Sequence, residues 1–351
     1  MKKYRSIPAL IVLVVAMIFL LNPTYPKWIG LALLALAAFG VIFASRGTFT
    51  FSKANRIISQ RKPDFLEKAL PLYEKAVEQG IPEQYQLVAG TLMIQYGNME
   101  KGKAALEELF SSKDKKMVFQ AKEGLSMYYW INKDTGRAIK LCEEAKEMGF
   151  KDKNLYINLG TYYLAKNRIH EFKLLMKESY KLKLDSPALV DMQAASHMLQ
   201  GDYKKAGNLL KTIFDKMTPS YVDPFVHYAM VYLHYGEKNS AIEYLEKSLE
   251  VCSFANTSIL SKDEVVELIS ILKSDDFGWA IVNAINENPL ELINGKIPSY
   301  KKLENKKASY AELPAFKAET INRDDISERD ENEPDTSLTD EDEEWLKKHN
   351  N

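Results

Sequence analysis

Residues 201–206 read Gly-Asp-Tyr-Lys-Lys-Ala, and segments related to this one recur along the chain at nearly constant spacing. When six such segments are aligned, their central residues lie 33, 36, 34, 34 and 35 positions apart. The central residues are Ala69, Gly102, Ala138, Phe172, Ala206 and Ala241. A regular period of about 34 residues indicates a chain built from stacked units of similar structure. The spacing therefore predicts six repeats between about Ala54 and Val251.

The repeats resemble the tetratricopeptide repeat family, whose unit is a pair of helices joined by a turn. The family's first-helix signature stands unaltered at residues 159–163 (Leu-Gly-Thr-Tyr-Tyr), and its turn followed by a small residue stands at residues 201–206. The large and small residues of the second helix follow at the family's offsets as Tyr73 and Ala76, Cys142 and Ala145, and Leu245 and Ser248. The resemblance implies an all-α fold, an α-solenoid of about six helix pairs over residues 49–256.

Three residues depart from this pattern. Phe172 stands where a small residue would let the two helices of a unit approach closely. Gly102 is expected to weaken the second helix of the second repeat, because glycine is a poor helix former. Pro71 is expected to interrupt the second helix of the first repeat, because proline lacks a backbone N–H.

Two uncharged apolar runs precede the repeats, Ile7–Leu21 of 15 residues and Trp28–Ala44 of 17 residues. Each falls slightly short of the roughly 20 residues that cross a bilayer, but neighbouring residues can extend the ends. The alternative is a signal peptide, since three basic residues lie among the first five. No small-x-small cleavage site ends the first run, and the second begins almost at once. We therefore expect residues 1–48 to form a transmembrane helical hairpin that contacts the lipid bilayer through residues 7–21 and 28–44.

Basic residues beside a membrane span resist translocation and so predict its orientation. The connecting loop holds only Lys27, whereas both outer ends of the hairpin are richer in basic side chains. These are Lys2, Lys3, Arg5, Arg46, Lys53, Arg56, Arg61 and Lys62. The pattern predicts a two-helix protein of the cell membrane with both termini in the cytoplasm.

Beyond the repeats, residues 257–293 are expected to form a helical cap, with Ser261 as the cap residue of its first helix and residues 279–285 as a further helix. Residues 294–351 are expected to be a linker and a disordered acidic tail. The last 33 residues hold 13 acidic and four basic side chains, a charge of −9, which leaves +8 on the rest of a chain of net charge −1. Trp345 and Leu346 in this tail are a candidate contact with a basic surface, and the alternative is a solubilising tail.

No catalytic motif is present in the sequence, and Cys142 and Cys252 have no metal-ligand spacing. His227 and His234 lie two helical turns apart, but without an acid or cysteine at a useful spacing we expect packing or solvated histidines and not a metal site. We therefore expect a protein that is not an enzyme, with no metal, cofactor, nucleic acid or small-molecule substrate.

The resemblance implies that a protein partner binds the concave surface lined by the first helices of the repeats. Carried over by register, the groove residues are Leu87, Thr91, Ile94, Glu123, Met127, Trp130, Ile157, Thr161, Leu164, Asp191, Ala195, Met198, Val226, Met230 and Leu233. This apolar lining with two acids suits an amphipathic helix or a hydrophobic peptide with a basic residue. Trp130 is the expected anchor, because large aromatic residues dominate binding energy at interfaces.

Together these features predict a membrane-anchored scaffold or adaptor that recruits or assembles partner proteins at the cytoplasmic face. One alternative is an accessory or regulatory subunit of a membrane enzyme or transporter. The other, if the topology is reversed, is an assembly factor outside the cytoplasm.

Overall fold

The structure, a computed structural model, describes residues 7–22, 24–60, 64–308 and 313–319. Within these residues the chain is all-α, as predicted, with sixteen α-helices and one short 3-10 turn at Leu109–Ser111. The predicted tail contact at Trp345 and Leu346 lies outside the described residues.

The helices follow one another with short connections. Their bounds are α1 Ile7–Leu21, α2 Lys27–Gln60, α3 Phe65–Gln79, α4 Glu83–Tyr96, α5 Met99–Glu108, α6 Lys115–Ile131, α7 Thr135–Glu147, α8 Lys153–Ala165, α9 Ile169–Lys181, α10 Pro187–Leu199, α11 Tyr203–Lys216, α12 Asp223–His234, α13 Lys238–Val251, α14 Lys262–Lys273, α15 Gly278–Glu287 and α16 Pro289–Ile293.

Successive helices pack in pairs, α2 with α3, α4 with α5, α6 with α7, α10 with α11 and α12 with α13. The small residues that recur in the sequence alignment are fully buried in the second helices of these pairs, as Ala69, Ala138, Ala206 and Ala241. An alanine at such a position lets the partner helix approach closely, which accounts for its recurrence. The fold is an array of many packed helix pairs, consistent with a repeat solenoid.

The array divides into two compact bodies. The N-terminal body comprises the described residues up to Leu159 together with Ala255–Thr257. The C-terminal body comprises Gly160–Phe254 and the described residues from Ser258 onward. The boundary between the two bodies falls within α8. It therefore does not coincide with an end of a repeat.

Two of the three departures from the repeat pattern are compensated by glycine on the partner helix. A Cβ atom placed on Gly102 in α5 would lie 2.7 Å from the carbonyl oxygen of Gly90 in α4, closer than real Cβ atoms approach. Gly102 therefore allows α4 and α5 to pack closely, although glycine is a poor helix former. The Phe172 ring in α9 lies 3.3 Å from the Cβ position of Gly160 in α8, which leaves room for the larger side chain.

The expected interruption at Pro71 is wrong, because α3 runs unbroken from Phe65 to Gln79. Pro71 lies on the exposed side of α3, while Tyr73 and Ala76 on its other side are buried. The packing of that buried side holds the helix in spite of the one backbone hydrogen bond that proline removes.

Helix α2 has 34 residues and is about 51 Å long at 1.5 Å per residue. Its first part packs on α1, where Gly30 lies close to Ala16 and Leu20. Its last part forms the first repeat pair, with Phe51 and Ala54 buried against α3. A single helix therefore joins the apolar N-terminal segment to the repeats.

Only α2, among the described residues, is long and apolar enough to cross a membrane. Helix α1 is apolar but has 15 residues, which is short for a complete span. The structure therefore supports one long apolar N-terminal helix, a feature that a single anchor and a signal sequence share, and not the two equivalent spans predicted from the sequence.

The C-terminal helices begin as the sequence predicted. Ser261 and Glu264 form a capping box at the start of α14, and the second expected helix is α15. Helix α14 packs on α13, α15 packs on α12, and α16 packs on α10. The chain thus returns to α12 and α10, and the predicted cap did not include these contacts.

Candidate functional site

In the N-terminal body the predicted groove residues are partly open to solvent. Leu87, Thr91, Glu123, Trp130 and Ile157 are half-buried. Ile94 and Met127 are buried and support the surface from below. These five half-buried residues, on α4, α6 and α8, are called the N-terminal groove here. They present both apolar and acidic side chains to the solvent.

Glu123 is the chemically distinctive residue of the N-terminal groove. Burial of its side chain, together with the nearby Asp152 carboxylate, raises its pKa to about 8. The Asn158 side-chain amide donates a hydrogen bond to its Oε1 atom. At neutral pH this carboxyl group is therefore largely protonated, and a partner cation placed against it would favour its ionised form.

One end of α4 is contacted by the segment Ala255–Thr257, which belongs to the same body. The Asn256 backbone N–H donates to the carbonyl oxygen of Gln95 at 2.6 Å, and its side-chain amide donates to that of Ile94 at 2.9 Å. Both carbonyls lie in the last turn of α4, where helix carbonyls lack partners within the helix. Asn256 therefore occupies the Ile94 end of this surface.

Trp130 lies near the end of α6, with the Lys133 ammonium 6.0 Å from its ring centroid. Lys133 itself has a positive φ of 63°, which turns the chain sharply after the helix. The indole is half-buried, so it retains exposed apolar surface of the kind that anchors a partner.

In the C-terminal body most of the predicted groove residues are buried. Thr161 is half-buried, whereas the others are at most 3% exposed. The buried ones are Leu164, Asp191, Ala195, Met198, Val226, Met230 and Leu233. Helices α15 and α16 pack on α12 and α10, and the Asn286 side chain donates to the Leu233 carbonyl oxygen at 3.3 Å. These positions are core in this structure, and their predicted contact with a partner stays a prediction.

Asp191 and His227 form a buried pair that sequence reasoning missed. Asp191 Oδ1 lies 2.8 Å from His227 Nδ1, and the two residues are 3% and 5% exposed. Burial alone would lower the pKa of His227, but the Asp191 carboxylate and nearby Asp223 raise it. Burial and Asp191 raise the pKa of Asp223 to about 6. Asp191 and His227 lie 36 residues apart, close to one repeat period, which is the signal that could have paired them.

His234 has a different environment from His227. Its ring stacks on Tyr203 with centroids 3.8 Å apart, and burial lowers its pKa. In the part of the chain that the structure describes, no group of three or more His, Cys, Asp or Glu residues is placed to hold a metal ion.

A second candidate surface is the outside of the α1–α2 pair. Small residues Ala16, Gly30 and Ala37 are buried between the helices. Large apolar side chains point outward and are more than half exposed, among them Leu10, Ile11, Trp28, Leu31, Phe39 and Ile42. Soluble monomers rarely expose continuous apolar surfaces of this kind, so this surface is a candidate contact site.

No protein-family model matches the sequence, and no curated protein matches it. The class of protein is therefore defined by fold alone as an all-helical array of packed pairs with an apolar N-terminal helix.

Proposed function

We propose that this protein is a membrane-anchored adaptor of the tetratricopeptide type, in which α1 and α2 insert as a hairpin and the helix pairs recruit a protein partner at the cytoplasmic face. The observation that best supports the proposal is the continuity of α2. One continuous helix joins an outward-facing apolar surface to the buried core of the first pair. A hairpin with apolar side chains outside and small residues inside is the arrangement that lipid favours.

The hairpin proposal needs α1 to cross the bilayer although it has 15 residues. Local bilayer thinning and flanking polar residues compensate a short span at modest cost. Lys27 is placed for this role, because its ammonium contacts the carbonyl oxygen of Leu20 at 2.5 Å and covers the turn between the helices. The excess of basic residues at the outer ends of the hairpin supports a cytoplasmic location for the repeats.

The N-terminal groove is the proposed binding surface for the partner. Its Trp130 indole and aliphatic side chains suit the apolar side of a helix or a hydrophobic peptide, and Glu123 suits one basic residue of that ligand. Because Glu123 has a pKa of about 8, pairing with a cation has to release its proton. Partner binding is therefore expected to strengthen between about pH 6 and pH 8.

Trp130→Ala tests the groove proposal by capture of partners from solubilised native membranes. Loss of capture with unchanged helicity by circular dichroism is the expected result. The matched control is Trp279→Ala, because Trp279 is also half-buried but lies on α15 in the C-terminal body. Equal capture by both variants and the unaltered chain would contradict the groove proposal.

The alternative function is an accessory subunit of a membrane enzyme or transporter, with the exposed surface of the α1–α2 pair packed on protein instead of lipid. Purification in mild detergent separates the two functions. A stoichiometric integral-membrane partner that stays bound to the Trp130→Ala variant would favour the accessory subunit.

A further inference from the structure

Residues 313–319 form an extended segment that is seated on the C-terminal body. Phe316 and Ala318 are the half-buried residues of this segment, whereas Leu313, Pro314, Ala315, Lys317 and Glu319 are exposed. The Phe316 ring lies over Gly207 of α11, so closely that the position leaves no room for a Cβ atom. The three atoms nearest to that Cβ position all belong to Phe316.

Three tyrosines complete the site for the Phe316 ring. Tyr235 stacks on it with centroids 5.1 Å apart, and Tyr228 and Tyr232 meet it edge-on at 6.4 and 5.9 Å. These are the offset and edge-to-face geometries that aromatic pairs prefer. We call Gly207, Asn208, Tyr228, Tyr232, Tyr235 and Glu237 the Phe316 cradle.

Two side chains of the cradle recognise backbone and so fix the register of the segment. Glu237 Oε1 accepts the N–H of Phe316 at 2.6 Å, and Asn208 Oδ1 accepts the N–H of Glu319 at 2.8 Å. Asn208 is 6% exposed with the segment in place, so its hydrogen bond to Glu319 is shielded from solvent. Hydrogen bonds to backbone N–H groups three residues apart suit an extended peptide. They place no requirement on the identity of its exposed side chains.

We propose that the Phe316 cradle is a peptide-binding site for an extended segment with one phenylalanine, and that its occupant is the chain's own segment Leu313–Glu319. The acidic stretch of charge −9 begins at Glu319. Occupation of the cradle therefore anchors the start of that stretch on the C-terminal body. This site is separate from the N-terminal groove and does not depend on the proposed partner.

The test uses the full-length chain in mild detergent and a fluorescent peptide of sequence Leu-Pro-Ala-Phe-Lys-Ala-Glu. The tethered segment acts at an effective concentration of about 1 mM and competes with the free peptide. The Phe316→Ala variant is therefore expected to bind the peptide at least about 10-fold more tightly than the unaltered chain does. The same peptide with alanine in place of phenylalanine is the control ligand and should not bind. Equal binding of the peptide to the unaltered chain and to Phe316→Ala would overturn the proposal.

Gly207→Ala gives a second test, because it should change the melting temperature in opposite directions in the unaltered chain and in the Phe316→Ala variant. In the unaltered chain the new methyl group expels Phe316, so the melting temperature should fall. In the Phe316→Ala background the ring is absent, and Ala should raise the melting temperature because it is the better helix former. The double variant should also fail to bind the peptide, because the methyl group fills the cradle. A melting temperature that falls equally in both backgrounds, or peptide binding that survives Gly207→Ala, would refute this assignment.

Discussion

At the scale of single residues, Glu123 combines a position in the N-terminal groove with an unusual pKa. Its folded-state pKa of about 8 lies above the value of 4.5 expected for the free side chain. Between these two values the folded chain binds a proton that the unfolded chain does not. The free energy of unfolding therefore falls as pH rises through this window, and the loss is complete above the folded-state pKa.

Glu123→Gln removes this ionisation while keeping an oxygen that can accept the amide hydrogen bond from Asn158. We expect the variant to match the unaltered chain near pH 4 and to exceed it at pH 9 by several kcal/mol, at about 1.4 kcal/mol for each unit by which the pKa is raised. Thermal melts at both pH values measure the difference, and the exposed Glu147→Gln is the control. A difference that does not grow with pH would contradict the raised pKa of Glu123.

Asp191 is a buried acid whose removal leaves another buried polar residue without its partner. Asp191→Ala leaves the buried His227 without its partner at 2.8 Å, so we expect a loss of about 3–5 kcal/mol. Asp215→Ala removes an exposed i,i+4 pair with Lys211 and should cost about 1 kcal/mol or less. Denaturant titration of the two variants gives the comparison. Similar losses for both would show that the buried pair adds nothing beyond a surface pair.

At the scale of elements, α2 depends on Gly47 where it passes from the apolar segment to the first repeat pair. A Cβ atom on Gly47 would lie 2.5 Å from the Gly80 carbonyl oxygen and 3.1 Å from that of Ala76, so backbone would have to move. We expect Gly47→Ala to destabilise the first pair by about 1–3 kcal/mol. Hydrogen exchange of α3 backbone amides measures the effect locally.

Gly136→Ala is the matched control in the first turn of α7. A Cβ atom there has only the Asp134 carboxylate oxygen within contact range, at 4.0 Å. The substitution should be neutral or stabilising, because alanine favours the helix. Protection of α3 that is equal in both variants would mean that α2 and α3 can separate slightly without cost.

The elements also show where sequence reasoning succeeded and where it stopped. The helix pairs were predictable because small residues such as Ala138 and Ala206 have to recur wherever two helices approach closely. The unbroken α3 was not, since the buried side of a helix decides whether an exposed Pro71 is tolerated. For the groove, the repeat register predicted which residues occupy equivalent positions, but not which of them are exposed to solvent. The burial of Met198 and Met230 depends on how far α15 and α16 return along the chain, and that is a long-range contact without a local signal.

At the scale of the whole molecule, the proposed hairpin anchor predicts two membrane spans, whereas α2 is the one helix of the described residues that is long and apolar enough to be a span. The native cysteines allow a direct labelling experiment, because Cys142 is fully buried and Cys252 is half-buried. Burial raises the pKa of both thiols, that of Cys252 to about 12, so neither forms much reactive thiolate near pH 7. The unaltered chain should therefore remain unlabelled by a membrane-impermeant maleimide.

Single cysteines at three positions then distinguish the topologies: Ser6 before α1, Thr24 between α1 and α2, and the exposed Thr218 among the repeats. For a hairpin with cytoplasmic repeats, intact cells should label Thr24→Cys alone, because the other two positions lie on the inner side. If α2 is the only span, Ser6→Cys should be labelled together with Thr24→Cys, since α1 then stays outside. Labelling of Thr218→Cys in intact cells would reverse the orientation and contradict the adaptor at the cytoplasmic face. In permeabilised cells all three variants should react, which shows that each introduced cysteine is accessible to the reagent. The hairpin therefore requires that Thr24→Cys alone react in intact cells.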